Sequence, residues 1–114
     1  MAYSTSDINR YDVVIHKGRY FSLVIEDDTI VATQQFAGSI ENLDTQVDLI
    51  IFNVDLTRLA EDKVIFYLRS TETVSLAEGD RYIYDVKTKA TADDSSDWTQ
   101  YVWGYAQVTK TVTP

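Results

Sequence analysis

The apolar positions of this chain recur at every second residue over short runs, the period of extended strands packed on one side. Tyr82, Tyr84 and Val86 alternate with Ile83, Asp85 and Lys87, and Phe21, Leu23 and Ile25 alternate with Ser22, Val24 and Glu26. The pattern predicts strands over 11–17, 20–26, 30–41, 47–56, 64–69, 81–89 and 98–112. Gly18, Asp27-Asp28 and the polar tip at 90–97 supply turns, and Gly38 inside its run predicts a kink. Residues 57–62 read as one helical turn or a loop, and 71–80 as a corner that carries one turn. No amphipathic run reaches helical length. The expected fold class is all-β, an antiparallel β-sandwich of about seven strands. Residues 1–10 follow no clear period and read as an N-terminal arm before a single domain over 11–114.

Two segments carry more apolar surface than one packed face requires. At the centre of 47–56, Leu49, Ile50, Ile51 and Phe52 are apolar on both faces, so loops of the chain or a neighbouring subunit must cover the second side. On the closing strand, Tyr101, Trp103 and Tyr105 share a face opposite Val102, Gly104, Ala106 and Val108. These rings either pack within the sandwich or form an open row that stacks on sugars or anchors an interface. A bulge at Gly104 would swap the faces. With Tyr3 in the arm and Tyr11 on the first strand, the candidate interface residues are Tyr3, Tyr11, Leu49, Ile51, Tyr101, Trp103 and Tyr105.

Composition narrows the chemistry. With 45% hydrophobic residues in 114, the chain has enough for one core, and with no cysteine it has neither disulfides nor thiolate metal sites. A net charge of −8, from 10 basic and 18 acidic residues, argues against nucleic-acid or anionic-membrane partners. The first residues lack the regions of a signal peptide, and no apolar run approaches the roughly 20 residues that span a bilayer, which predicts synthesis in a cytoplasm. His16 is the only histidine, at a strand end beside Lys17 and Gly18, where a partly exposed structural role is the simpler reading. The acidic residues fall at turns or on water-facing strand positions rather than as a catalytic pair. Asp93, Asp94 and Asp97 offer oxygen ligands without EF-hand spacing, and a solvated hairpin tip explains them. No catalytic residue, cofactor or metal is predicted, and the expectation is a non-enzymatic protein.

Several elements, in order, resemble small immunoglobulin-like structural modules of tailed bacteriophages, the family of the baseplate upper protein N-terminal domain. His16 to Leu23 is similar to its opening signature, Ala37 to Ile40 to the next element, and Val64 to Leu68 to the strand before a Thr-rich corner. Gly79, Tyr82, Tyr84 and Asp85 resemble its central motif, and Gly104, Val108, Val112 and Thr113 its close. The resemblance implies an immunoglobulin-like sandwich in a virion, made in the bacterial host, whose partners are other virion proteins or further copies in a symmetric particle. It implies an assembly or adaptor subunit of the tail, neck or baseplate. A capsid cement or decoration protein is the alternative, and a carbohydrate-binding module using the aromatic row a more distant one. Members usually continue into a helical or fibre-forming segment where this sequence stops at Pro114, which favours the adaptor or cement role. An extra residue, Arg81, leaves open whether Tyr82 makes the hydrogen bond of a tyrosine corner.

Overall fold

Strands form where the two-residue period is strongest. The computed structural model describes residues 9–44, 48–77, 79, 81–90 and 98–110; of Asp48 and Leu49 it describes the strand pairing only. In chain order the strands are β1 (Val13–His16), β2 (Phe21–Glu26), β3 (Gln35–Asn42), β4 (Asp48–Ile51), β5 (Asn53–Asp55), β6 (Lys63–Leu68), β7 (Arg81–Lys89) and β8 (Thr99–Thr109). A 3₁₀ turn at Leu59–Glu61 and one helical turn, α1 (Ser70–Thr73), fill the two corners where the sequence predicts turns.

Two sheets result, one in the order β1-β8-β7-β3-β4 and the other β2-β6-β5. All pairs are antiparallel except β1 with β8, which run parallel with Val13 opposite Ala106. The sheet of β8, β7, β3 and β4 matches the G, F, C and C′ strands of an immunoglobulin variable-type domain, and β2, β6 and β5 match B, E and D. The chain is an all-β, immunoglobulin-like sandwich. Its core interleaves Ile15, Ile40, Tyr84 and Val86 of the larger sheet with Leu23, Val64, Phe66 and Leu68 of the smaller. Burial of such side chains contributes about 1.5–3 kcal/mol each.

The apolar run expected as one strand over 47–56 divides. β4 belongs to the larger sheet and β5 to the smaller, and the chain changes sheets at Phe52. Its N–H still donates to the Gly38 carbonyl (2.9 Å) while its ring enters the core, edge-on to Phe66 at 6.1 Å and to Tyr84 at 6.2 Å. The crossing closes that border of the sandwich. It also accounts for Gly38, where a Cβ would stand 3.1 Å from the Phe52 ring and 3.0 Å from the Asp85 carbonyl oxygen. The expected kink at Gly38 is absent: β3 keeps its register with β7 throughout, and the irregularity lies between Ile40 and Glu41, against β4.

The corner before β7 is held by side chains. Glu72 Oε1 accepts from the Arg69 N–H (2.9 Å) and from Asn53 Nδ2 (2.8 Å), and the Thr73 hydroxyl donates to the Arg19 carbonyl (2.8 Å). The Ala77 N–H then donates to the Tyr82 hydroxyl oxygen (2.9 Å). Tyr82 therefore ties the start of β7 to the backbone upstream, as in a tyrosine corner, and the extra Arg81 does not prevent it. Gly79 takes φ +79°, a left-handed conformation that glycine adopts without penalty. Two residues beyond Tyr82, at the position of an immunoglobulin cysteine, stands the fully buried Tyr84.

Candidate interaction surface

The predicted row of three rings does not exist on one face. Along β8, Gln100 is opposite Lys87 and Val102 opposite Val86, so Tyr101 is an extra residue, and this bulge turns it inward. Its ring packs 5.9 Å from Phe36, and its hydroxyl donates to the Asp27 carboxylate. That bond holds the Asp27 carboxyl below its ordinary range, while burial, then the Asp27 contact, pushes the Tyr101 phenol up. The bulge lies three residues before Gly104, the position at which one would have swapped the faces. Beyond it the alternation resumes, with Ala106 and Val108 inward and Trp103 and Tyr105 outward.

Trp103 is nevertheless only 1% exposed. The Arg10 guanidinium lies over its ring at 5.5 Å and over the Tyr105 ring at 4.8 Å, and the two rings meet edge to face at 5.5 Å. Arg10 is itself held by Asp12 (3.0 and 2.9 Å), which also accepts from the Tyr105 N–H (3.0 Å). The Arg10 bond, then the Tyr105 N–H, lowers the Asp12 pKa. Trp103 is thus a structural residue and not an open stacking platform; Tyr105 keeps part of its ring in water.

Tyr11 is fixed by its backbone and free in its side chain. Its N–H donates to the Trp103 carbonyl (2.8 Å), and its own carbonyl accepts from the Tyr84 hydroxyl. The two groups meet over Gly104, where any Cβ would land on the Tyr11 carbonyl. The Tyr11 ring, mostly exposed, stands at the mouth of a groove of ≈ 780 Å³ between β1 and β2, whose inner wall includes Phe21, Leu23, Ile25 and Val102.

Of the two candidates on β4, Ile51 is 72% exposed, on the outer side of the larger sheet opposite Ser39, while Ile50 turns toward the core. The Leu49 side chain, Tyr3 and the acidic tip at 91–97 lie outside the described residues. Across the same sheet, β1 leaves Val14 half exposed. The structure therefore brings Tyr11 and Tyr105 to the β1 border, sets Ile51 at the β4 border, turns the partly buried Tyr101 toward the core and buries Trp103. His16 sits at the end of β1 with Nδ1 2.8 Å from the Thr109 hydroxyl, a bond that pins the two strand ends. Among the described residues no three His, Asp or Glu side chains gather as a metal site.

One exposed group was not anticipated. Tyr20 stacks on Tyr67 at 5.8 Å, with Arg69 over the second ring at 5.6 Å, on the outer side of the smaller sheet. Strand parity carries the signal, since Tyr67 alternates with the inward Phe66 and Leu68.

No family model and no curated protein matches this chain. Among solved structures, it is similar to the extracellular domain of the voltage-gated sodium channel beta4 subunit, described as a parallel homodimer with a role in cell–cell adhesion. The two share 14% identity over 97% of this chain and 100% of that one, with a TM-score of 0.49. Strand order and register define the immunoglobulin-like fold.

Proposed function

We propose that this chain is a non-enzymatic structural subunit of a tailed-phage virion, an assembly or adaptor piece of the tail, neck or baseplate. Its work is to hold neighbouring subunits by burying apolar side chains, with the acidic surface keeping the free subunit in solution. The observation that carries the reading is Ile51, a large aliphatic residue left 72% exposed at the border of the larger sheet. The resemblance adds to it: Gly79 and Tyr82 form the corner before β7, and Tyr84 and Gly104 tie β1 to β7. A cement role on the capsid would use the same surfaces. The carbohydrate-binding alternative loses its basis, because the bulge at Tyr101 and the burial of Trp103 leave no aromatic row.

The test is to separate heads and tails of purified virions and count this chain in each by quantitative peptide mass spectrometry. A few copies with the tails, in a multiple set by ring symmetry, are expected. Copies on the order of hundreds with the heads would make it a cement protein. Absence from both fractions would overturn the virion reading. Ile51→Asp should fold as the parent does and fail to enter particles.

A further inference from the structure

Sheet borders expose rows of unpaired backbone groups, and most borders of this sandwich are blunted. β5 is only three residues long, and β4 is irregular against β3 and runs into the change of sheets at Phe52. β1 is preceded by the Arg10–Asp12 ion pair. Among the described residues, β2 has no such device. Its six residues, Phe21–Glu26, hold an unbroken register with β6 and include no Lys, Pro or Gly. β1 runs alongside but bonds to β8 from Arg10 onward, so no described residue supplies a strand to the free side of β2.

The backbone alternation on that edge is fixed. The Asp27 N–H donates to the Asp62 carbonyl (2.9 Å), which makes Phe21, Leu23 and Ile25 the residues bonded to β6. Ser22, Val24 and Glu26 consequently aim their N–H and C=O groups outward. Their side chains are exposed as well, Val24 at 51%.

We propose that the partner of this edge is a second copy of the chain, with the two β2 strands antiparallel about a two-fold axis through Val24. A two-fold interface requires a patch to complement itself, and this one does. Val24 meets its own copy, and Ser22 meets Glu26 in both directions, so no like charges stand opposite each other. Val24 neighbours Ile65 in its own sheet, and the pairing therefore builds an outer apolar row Ile65, Val24, Val24, Ile65 across the axis. Glu26 keeps Lys63 beside it in its own sheet. Two three-stranded sheets become one of six strands. The pairing uses a different surface from Ile51 and stands whether or not the virion assignment does.

Sedimentation equilibrium of the full chain over about 1–300 μM is the test, with a reversible dimer expected. Val24→Pro removes an outward donor and no bond to β6, and Val24→Lys sets two like charges face to face. Each should weaken dimerisation about tenfold or more while the circular dichroism of the monomer stays that of the parent. If the proline variant does not fold, the lysine variant decides. Val24→Cys, in a chain with no native cysteine, should cross-link on mild oxidation, and Ile51→Cys should not. A monomer across the whole range overturns the proposal, as does a dimer that Val24→Lys leaves unchanged or that cross-links only through Ile51→Cys. Protection of the β2 amides from hydrogen exchange only when another virion protein is added would overturn it in favour of a heterologous strand.

Discussion

At the scale of single residues, the chain depends on a glycine that the strand period gives no reason to single out. Gly104 lies opposite Tyr84 on β7, and the space its missing Cβ leaves is where the Tyr84 hydroxyl reaches the Tyr11 carbonyl. Gly104→Ala would push a methyl against that backbone carbonyl and within 3.0 Å of the Tyr84 ring, and backbone cannot yield as a flexible side chain does. A loss of about 3 kcal/mol is expected, read as a fall of more than ~10 °C in melting temperature. The parent melting temperature retained in Gly104→Ala would mean that β1 is not anchored this way. A second residue-level test uses the Tyr101–Asp27 bond. The folded-state pKa of Asp27 is depressed, so the bond contributes fully above the unfolded value of about 4 and is lost as pH falls through the folded one. Tyr101→Phe should cost about 1 kcal/mol at pH 7, and the gap between parent and variant in urea melts should close below pH ~4. A gap that persists at pH 2 would mean that the hydroxyl contributes independently of the Asp27 charge.

At the scale of elements, the strands and both helical corners are legible in the sequence because alternation and turn residues are local signals. What the sequence does not carry is the choice of sheet. In 47–56 every residue from Leu49 to Phe52 is apolar, so the period-two pattern is silent where the chain crosses from β4 to β5, and the crossing is decided by where the Phe52 ring fits. The parallel placement of β1 beside β8 is likewise a long-range choice. The candidate site fails at two positions for the same kind of reason: a single extra residue at Tyr101 moves one ring to the other face, and Arg10, ninety-three positions away from Trp103, covers the second. Ile51 and Tyr105 stand exposed on the outer side of the larger sheet, and Tyr11 is exposed although it shares the parity of the inward Val13 and Ile15, because it precedes β1. If Phe52 is the hinge between sheets, Phe52→Ala should cost about 3–5 kcal/mol, the upper range for a buried ring, because it opens a void among Phe21, Phe66 and Tyr84. Chemical denaturation measures it. Phe21→Ala, at the more accessible β2 edge, should cost clearly less, and equal losses would argue against a special role for the crossing.

At the scale of the whole molecule, charge and edge chemistry oppose each other. Each copy carries −8, so bringing two together concentrates −16 within a few tens of ångströms, whereas the proposed β2 contact is made of backbone bonds and a valine row with no ion pair across the axis. Repulsion between the bodies is then the main electrostatic contribution to association, and it acts over a distance that salt shortens from about 10 Å at 0.1 M to about 3 Å at 1 M. Dimerisation should consequently strengthen severalfold between low and high sodium chloride, the reverse of an interface held by salt bridges. Sedimentation at the two ionic strengths reads the sign directly. Affinity that falls with salt would place opposite charges at the contact and rule out pairing through Ser22, Val24 and Glu26. A chain with this balance would stay dispersed while dilute and associate where its local concentration is raised, so that association is triggered by proximity and not by a change of fold.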